Sequence, residues 1–329
     1  MKRIGVNGFG RIGRYFTRVS LNDPEVDVTV VNDLSDINTL AHLFKYDSVH
    51  GRLEHSFEVD GNLLRFSNGK TIEFIAQPDP EKIPWAKYGV NYVLESSGIF
   101  RTRELASKHL VGGASKVIIS APAKSPDVRT VVLGVNDDPL SKTEEVYSNA
   151  SCTTNSAAPM LKVIREMCDI KSAFITTVHS YTSDQRLHDA PHQDLRRARA
   201  AAQSIVPTTT GAAKALAKIF PDLEGHIGGC GVRVPVPDGS LTDLTLVVDN
   251  PPTAEEINKA MAAAARTDLK GIMEYTEDPV VSVDIIGNPH SCVFDAQLTS
   301  VIGNMVKIMG WYDNEAGYSN RLIDLVKRL

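Results

Sequence analysis

Paired cysteines, an excess of positive charge and long apolar runs are all missing from this 329-residue chain. The four cysteines, Cys152, Cys168, Cys230 and Cys292, stand far apart. With no CxxC pair and no cysteine-histidine grouping at zinc-finger spacing, they argue against a structural metal and fit a reduced, cytoplasmic setting. The formal charge of -5 offers no general attraction to nucleic acid or to an anionic membrane. No apolar run reaches the length of a bilayer span. The apolar stretch after Met1-Lys2-Arg3 is too short, and too soon broken by glycine, for a signal peptide. No repeat or low-complexity tract stands out. What is present, 42% hydrophobic and 23% charged residues, is the composition of a globular protein with room for two domains.

Lys2 to Val6 reads as a strand, followed by Gly8-Phe9-Gly10-Arg11-Ile12-Gly13 and then by Ile12, Phe16 and Val19 at helical spacing. In such a strand, turn and helix Gly8 permits the tight turn, Gly10 lets a pyrophosphate approach the backbone, and Gly13 lets helix pack on strand. The helix N-terminus then faces the phosphates. A second apolar strand, Val28 to Val31, ends at Asn32-Asp33, and Asp33 lies twenty residues beyond Gly13, the offset of an acid that holds ribose hydroxyls. A carboxylate there repels a 2′-phosphate, so NAD is the expected cofactor. The alternative is that Asp33 caps the next helix. Further strands are expected at 71–75, 91–94 and 116–120, with a helix over 102–110. Ser96-Ser97-Gly98 and Ser120-Ala121-Pro122 then fall at strand ends, either as cofactor contacts or as ordinary turns. The turn-rich stretch 136–149 leads toward a second domain.

Ser148-Asn149-Ala150-Ser151-Cys152-Thr153-Thr154-Asn155 sets a cysteine at the start of an apolar run. A helix beginning near Ser151 would aim free N–H groups and its positive end at the sulfur, favouring thiolate. The plainer alternative is a small buried cysteine. Ala157, Leu161, Ile164 and Cys168 continue a helical stripe, with Pro159 inside it as a source of a kink. The strand expected over 173–178 delivers His179, which suits a base for a thiol nucleophile. Arg196, Arg197 and Arg199 precede Thr208-Thr209-Thr210-Gly211, and Arg233 follows. Guanidinium forks, hydroxyls and a glycine N–H suit phosphate, although a solvated basic helix face would read the same way. Alternating apolar sequence predicts sheet over 241–248, 280–285 and 306–311, with helices over 253–265 and 322–329.

NGFGRIGR, KYDSVHG, SAPAK, SNASCTTN, DLRRARAAA, TTTGAAKA and WYDNEAGY occur in this order. On these motifs the chain closely resembles the phosphorylating glyceraldehyde-3-phosphate dehydrogenases, from Gly5 to the C-terminal helix. The resemblance implies an α/β fold: a Rossmann-type NAD-binding domain over 1–150 completed by the helix 314–329, and an α+β catalytic domain over 151–313 with a mostly antiparallel sheet. It also implies a homotetramer acting on glyceraldehyde-3-phosphate and inorganic phosphate. Carried over by position, Cys152 is the nucleophile and His179 the base. Gly8, Gly10, Arg11, Ile12, Gly13, Asp33, Ser120 and Asn314 form the NAD site, with Asn314 orienting the nicotinamide amide. Thr182, Asp184 and Arg233 resemble the site for the substrate's phosphate. Ser151, Thr153, Arg197, Thr210 and Gly211 resemble that for the attacking phosphate. Ser156 stands where many members have a second cysteine, and Pro78 where many carry a basic residue near the adenine. Ala190-Pro191 is shared with dual-cofactor photosynthetic relatives, which keeps NADP in view beside NAD, while Leu34 after Asp33 favours NAD.

Three other readings compete. Erythrose-4-phosphate dehydrogenase shares the cysteine and histidine but lets water resolve the thioester; Asp33, where it tends to carry Glu, and the arginine-threonine set favour the phosphorylating enzyme. A cysteine hydrolase has no use for Gly8, Gly10, Gly13 and Asp33. A surface or RNA-binding activity is secondary at most, given the acidic balance.

Overall fold

A computed structural model describes residues 1–137, 140 and 143–329. Positions 138, 139, 141 and 142, in the turn-rich stretch expected before the second domain, lie outside the described residues. The chain forms two compact units: residues 1–131, 137–150 and 319–329 in one, and 132–136 and 151–318 in the other.

The first unit is built on a nine-stranded sheet. Its order across the sheet is Arg129–Thr130, Val146–Ser148, Lys116–Ile119, Tyr92–Glu95, Lys2–Asn7, Val26–Asn32, Thr71–Ile75, Leu63–Phe66 and Phe57–Asp60. The strands run parallel as far as Thr71–Ile75, and the last two pair antiparallel. This is the Rossmann-type sheet the sequence predicts, with the parallel strands buried as near-continuous apolar runs such as Val28, Val30 and Val31. Trp85 is wholly buried against Val30, Ile83, Val90, Val93 and Ala114. The C-terminal helix, Ala316–Arg328, starts earlier than the predicted 322, because Asp313 accepts from the N–H groups of Glu315 and Ala316 at 2.8 and 2.6 Å and so begins it. From Ser319 onward it belongs to the first unit, where Lys2 Nζ donates to the carbonyls of Val326 and Lys327, both at 2.8 Å.

The second unit holds an eight-stranded, mostly antiparallel sheet. The order is Val206–Thr208, Ile227–Val234, Ile170–Ser180, Ser240–Val248, Met305–Tyr312, Cys292–Asp295 and Met273–Thr276, with Ser300–Ile302 also paired to Met305–Tyr312. Alternation along Ser240–Val248 is strict, every second residue being buried. Sheet expected over 280–285 is instead a single 3-10 turn, Ser282–Ile285. There Val281 and Val283 face solvent, and the Asp284 carboxylate captures the Val281 N–H at 2.8 Å, so local capping wins over an alternating pattern with nothing to bury it. The strand Ile227–Val234 escapes sequence reading because its glycines lower strand propensity. At Gly229 a side chain would collide with Ile175 of the neighbouring strand.

Candidate active site

In the first unit, the Lys2–Asn7 strand turns at Gly8 into the helix Arg11–Ser20. Gly8 has φ +94°, and a Cβ there would lie 2.6 Å from the Ser97 nitrogen, so only glycine fits. A Cβ on Gly13 would strike the Gly8 carbonyl, whereas nothing lies within 4 Å of one built on Gly10. That open floor beside a helix start whose N-cap offers no side-chain hydrogen bond is what a pyrophosphate needs. The Arg11 side chain itself turns to Asp47, making a bidentate ion pair at 2.8 and 3.1 Å. Ile12 lies in the same first turn, and Ser120 follows the Lys116–Ile119 strand, its N–H bonded to the Glu95 carbonyl at 2.9 Å. Asp33 does not cap the next helix, since Asp36 does. Its carboxylate accepts from Phe9 N–H at 2.8 Å and Ser35 N–H at 3.0 Å, and so is held at the glycine turn.

In the second unit, Ser151 caps the helix Cys152–Met167 by accepting from the Thr154 N–H at 3.1 Å, which sets Cys152 at the first helical position. The helix continues through Pro159. His179 is the penultimate residue of the strand Ile170–Ser180, and its Nε2 lies 3.5 Å from Cys152 Sγ. The candidate nucleophile and the candidate base therefore meet. Parallel pairing sets Arg233 opposite His179, with Nη1 2.7 Å from His179 Nδ1 and 2.9 Å from the Ser180 carbonyl; His179 Nδ1 is itself 2.8 Å from that carbonyl, and the tautomer that donates to it leaves Nε2 able to accept a proton.

Burial pushes the Cys152 thiol up to about 11, against the pull of Arg233 and hydrogen bonds from Thr153. Burial, reinforced by Arg233, pushes the His179 imidazole down to about 3. The helix terminus thus does not by itself yield a thiolate. Either charge alone is costly in this dry site, but a proton passed from Sγ to Nε2 leaves each charge facing its opposite.

Of Arg196, Arg197 and Arg199, only Arg197 is held by the neighbouring threonines. Its Nε donates to Thr208 Oγ1 at 2.9 Å and its Nη2 to the Thr209 carbonyl at 3.2 Å, while Nη1 pairs with Asp184. Arg196 and Arg199 are exposed, and the segment forms turns rather than a basic helix face. Thr182 N–H donates to Gln185 Oε1 at 3.3 Å, and Thr210 Oγ1 accepts from Ala212 N–H at 3.2 Å. Gly211 opens the helix Ala212–Ile219 without a side-chain cap, and space beyond its Cα is open.

Asn314 is buried, and its Oδ1 accepts from both Ser180 Oγ and Ser240 Oγ at 2.7 Å. That network fixes the amide, turning its NH₂ to the other side as a donor.

Two family models divide the chain between them: the glyceraldehyde 3-phosphate dehydrogenase NAD binding domain over residues 2–103 and the C-terminal domain over 151–314. Among curated proteins, glyceraldehyde-3-phosphate dehydrogenase 1 of Bacillus subtilis is 54% identical over 325 residues, 98% of this chain and 96% of its own. The Geobacillus stearothermophilus glyceraldehyde-3-phosphate dehydrogenase is 55% identical over 325 residues, with the same coverage. That of Mycobacterium avium is 50% identical over 330 residues, 98% of this chain and 97% of its own. The chain belongs to the glyceraldehyde-3-phosphate dehydrogenase family. It is an oxidoreductase with NAD as cofactor, and the residues of the glycine turn fit that cofactor: an uncluttered phosphate floor at Gly10 and an anchored acid at Asp33.

Some residues of this glyceraldehyde-3-phosphate dehydrogenase site are missed by sequence reasoning. The Tyr312 hydroxyl lies 2.7 Å from Thr153 Oγ1 and 2.9 Å from Thr177 Oγ1, and its ring meets His179 edge-on. Thr153, expected at phosphate, thus has its hydroxyl engaged by a buried tyrosine. Asp238 is buried below Asn314, accepting from its N–H at 3.3 Å. Burial and the neighbouring Asp313 push its carboxyl well above the usual carboxylate range. Tyr312 ends the strand Met305–Tyr312 within the WYDNEAGY motif, whereas Asp238, in the bend between Ile227–Val234 and Ser240–Val248, carries no sequence signal.

Proposed function

We propose that the protein oxidises glyceraldehyde-3-phosphate and transfers the product acyl group to inorganic phosphate, giving 1,3-bisphosphoglycerate in glycolysis or gluconeogenesis. The 3.5 Å approach of Cys152 Sγ to His179 Nε2, in a chain of this family, carries the proposal. Cys152 adds to the aldehyde carbon to form a thiohemiacetal. His179 Nε2 then takes its hydroxyl proton as the C–H bond breaks. NAD, when bound, supplies the hydride acceptor. The developing oxyanion is stabilised by the N–H groups at the start of the Cys152–Met167 helix and by the protonated imidazole. The resulting thioester on Cys152 is attacked by a phosphate oxygen, and the sulfur leaves as thiolate. Arg233 and Thr182, with Asp184 beside them, serve the substrate's own phosphate. Arg197, Thr210 and Gly211, together with Ser151 and Thr153, serve the attacking one. Asn314 directs its NH₂ to the nicotinamide amide, and Gly8, Gly10, Arg11, Ile12, Gly13, Asp33 and Ser120 hold the rest of NAD.

This assignment predicts NADH formation from glyceraldehyde-3-phosphate that depends on phosphate or arsenate. Steady turnover without either, with erythrose-4-phosphate as the better substrate, would give the water-resolved alternative instead.

The active form is a homotetramer in this proposal. Helices cover one face of the second sheet, while the other leaves Phe174 and Met305 at 49% and 39% exposure beside Leu241, Met309 and Trp311. An apolar sheet face of that kind suits a second copy of the chain. Phe174→Glu should lower the mass seen in sedimentation equilibrium, and an unchanged mass would refute this use of the face. A cytoplasmic setting is proposed on the four cysteines, all free thiols. No helix among the described residues is long and apolar enough to cross a membrane.

A further inference from the structure

We infer that Glu95 is a positioning residue for NAD, holding the glycine turn in register from beneath; this rests on reading that turn as the cofactor cradle. Glu95 ends the Tyr92–Glu95 strand and is 1% exposed. A carboxylate so deeply buried is costly unless every lone pair is used. Here Oε2 accepts from Asn7 Nδ2 at 2.6 Å, and Oε1 accepts from the Ser97 N–H at 2.8 Å and from the Ser97 hydroxyl. His109 Nε2 lies 3.0 Å from Oε2. Trp85 Nε1 is 3.2 Å from His109 Nδ1, and an indole N–H can only donate, so Nδ1 accepts and the imidazole proton sits on Nε2, pointing at Glu95.

The residues tied by this carboxylate are those that shape the cradle. Asn7 immediately precedes Gly8, and Asn7 Oδ1 accepts from Asn32 Nδ2 at 2.7 Å. Asn32 precedes Asp33, and its carbonyl receives the Gly8 N–H at 2.8 Å. On the other side, Ser96 Oγ donates to the Gly8 carbonyl at 2.7 Å, and the Ser97 backbone packs where a Gly8 side chain would be. Glu95 thus ties its own strand, Tyr92–Glu95, directly to Lys2–Asn7 and, through the Asn7 amide, to Val26–Asn32. A buried hydrogen-bonded group serving stability alone could sit anywhere in the sheet. This one sits under the carboxyl ends of the strands, where a parallel sheet binds its ligand.

Glu95→Gln keeps the shape but replaces one acceptor oxygen by a donor that faces donors. NAD titration of the homotetramer, with KM and kcat followed together, reads the effect. KM for NAD should rise about tenfold, as for loss of charge-assisted hydrogen bonds, while kcat changes far less. Ser96→Ala, which removes the hydroxyl contacts with the Gly8 and Asn7 carbonyls and leaves the Glu95–His109 hydrogen bond intact, should raise KM in the same direction with an unchanged melting temperature. It decides the matter if the glutamine variant does not fold. An Asp33→Ala control separates the two readings. If Asp33→Ala raises KM for NAD while Ser96→Ala and any folded Glu95→Gln leave it unchanged, the inference about Glu95 is wrong. If none of the three moves it, the cradle reading falls as well.

Discussion

Cys152→Ser is expected to reduce NADH formation from glyceraldehyde-3-phosphate by at least about 10⁴-fold, because a hydroxyl is a far weaker nucleophile than a thiol at the same position. The substitution is nearly isosteric. It leaves the Ser151 cap on Thr154 intact, so the helix Cys152–Met167 should form as before. The Phe9 to Asp33 contact that anchors the cofactor acid lies within the first unit and involves neither residue of the pair. NAD binding followed by tryptophan fluorescence should therefore be unchanged while turnover is lost. Turnover retained by the serine variant would remove Cys152 from the chemistry.

His179→Asn should cost about 10² to 10⁴-fold in the acylation rate, the range for loss of a positioned general base. It should also move thiol reactivity with pH. Burial, against the pull of Arg233, pushes the Cys152 thiol up to about 11, and without the imidazole to receive its proton the sulfur stays protonated through neutral pH. A raised thiol pKa means the reactive thiolate is gained only as pH rises toward that value. Iodoacetamide alkylation of the variant should be slow at pH 7 and accelerate well above pH 9, and the wild-type profile should begin at lower pH. Superimposable profiles would show that the 3.5 Å approach of Nε2 to Sγ has no bearing on the thiol.

The glycine turn could be read from sequence because its signal is local: three glycines, a flanking strand and an acid at a fixed offset each have a backbone reason to be there. The helix start at Ser151-Cys152 was legible for the same reason, a capping hydroxyl before an apolar stripe. The meeting of Cys152 with His179 was not. It depends on the helix Cys152–Met167 packing against the sheet that holds Ile170–Ser180, a tertiary contact with no local sequence signal. Arg197 illustrates another limit. Composition and spacing offered three arginines and three threonines, the family resemblance picked out Arg197 and Thr210, and only tertiary contacts bring in Thr208 as the partner of Arg197. Glu95 and His109 were invisible because buried polar pairs have no pattern of their own. Each looks like any strand or helix residue until its partners are known.

The measurement that tests the central claim most directly is a rapid-quench experiment with NAD and glyceraldehyde-3-phosphate in phosphate-free buffer, followed by mass spectrometry of the Cys152 peptide. A burst of NADH stoichiometric with active sites, a phosphoglyceroyl adduct on Cys152, and its release when phosphate is added are the predicted results. Continued turnover without phosphate and with Cys152 unmodified would contradict the account.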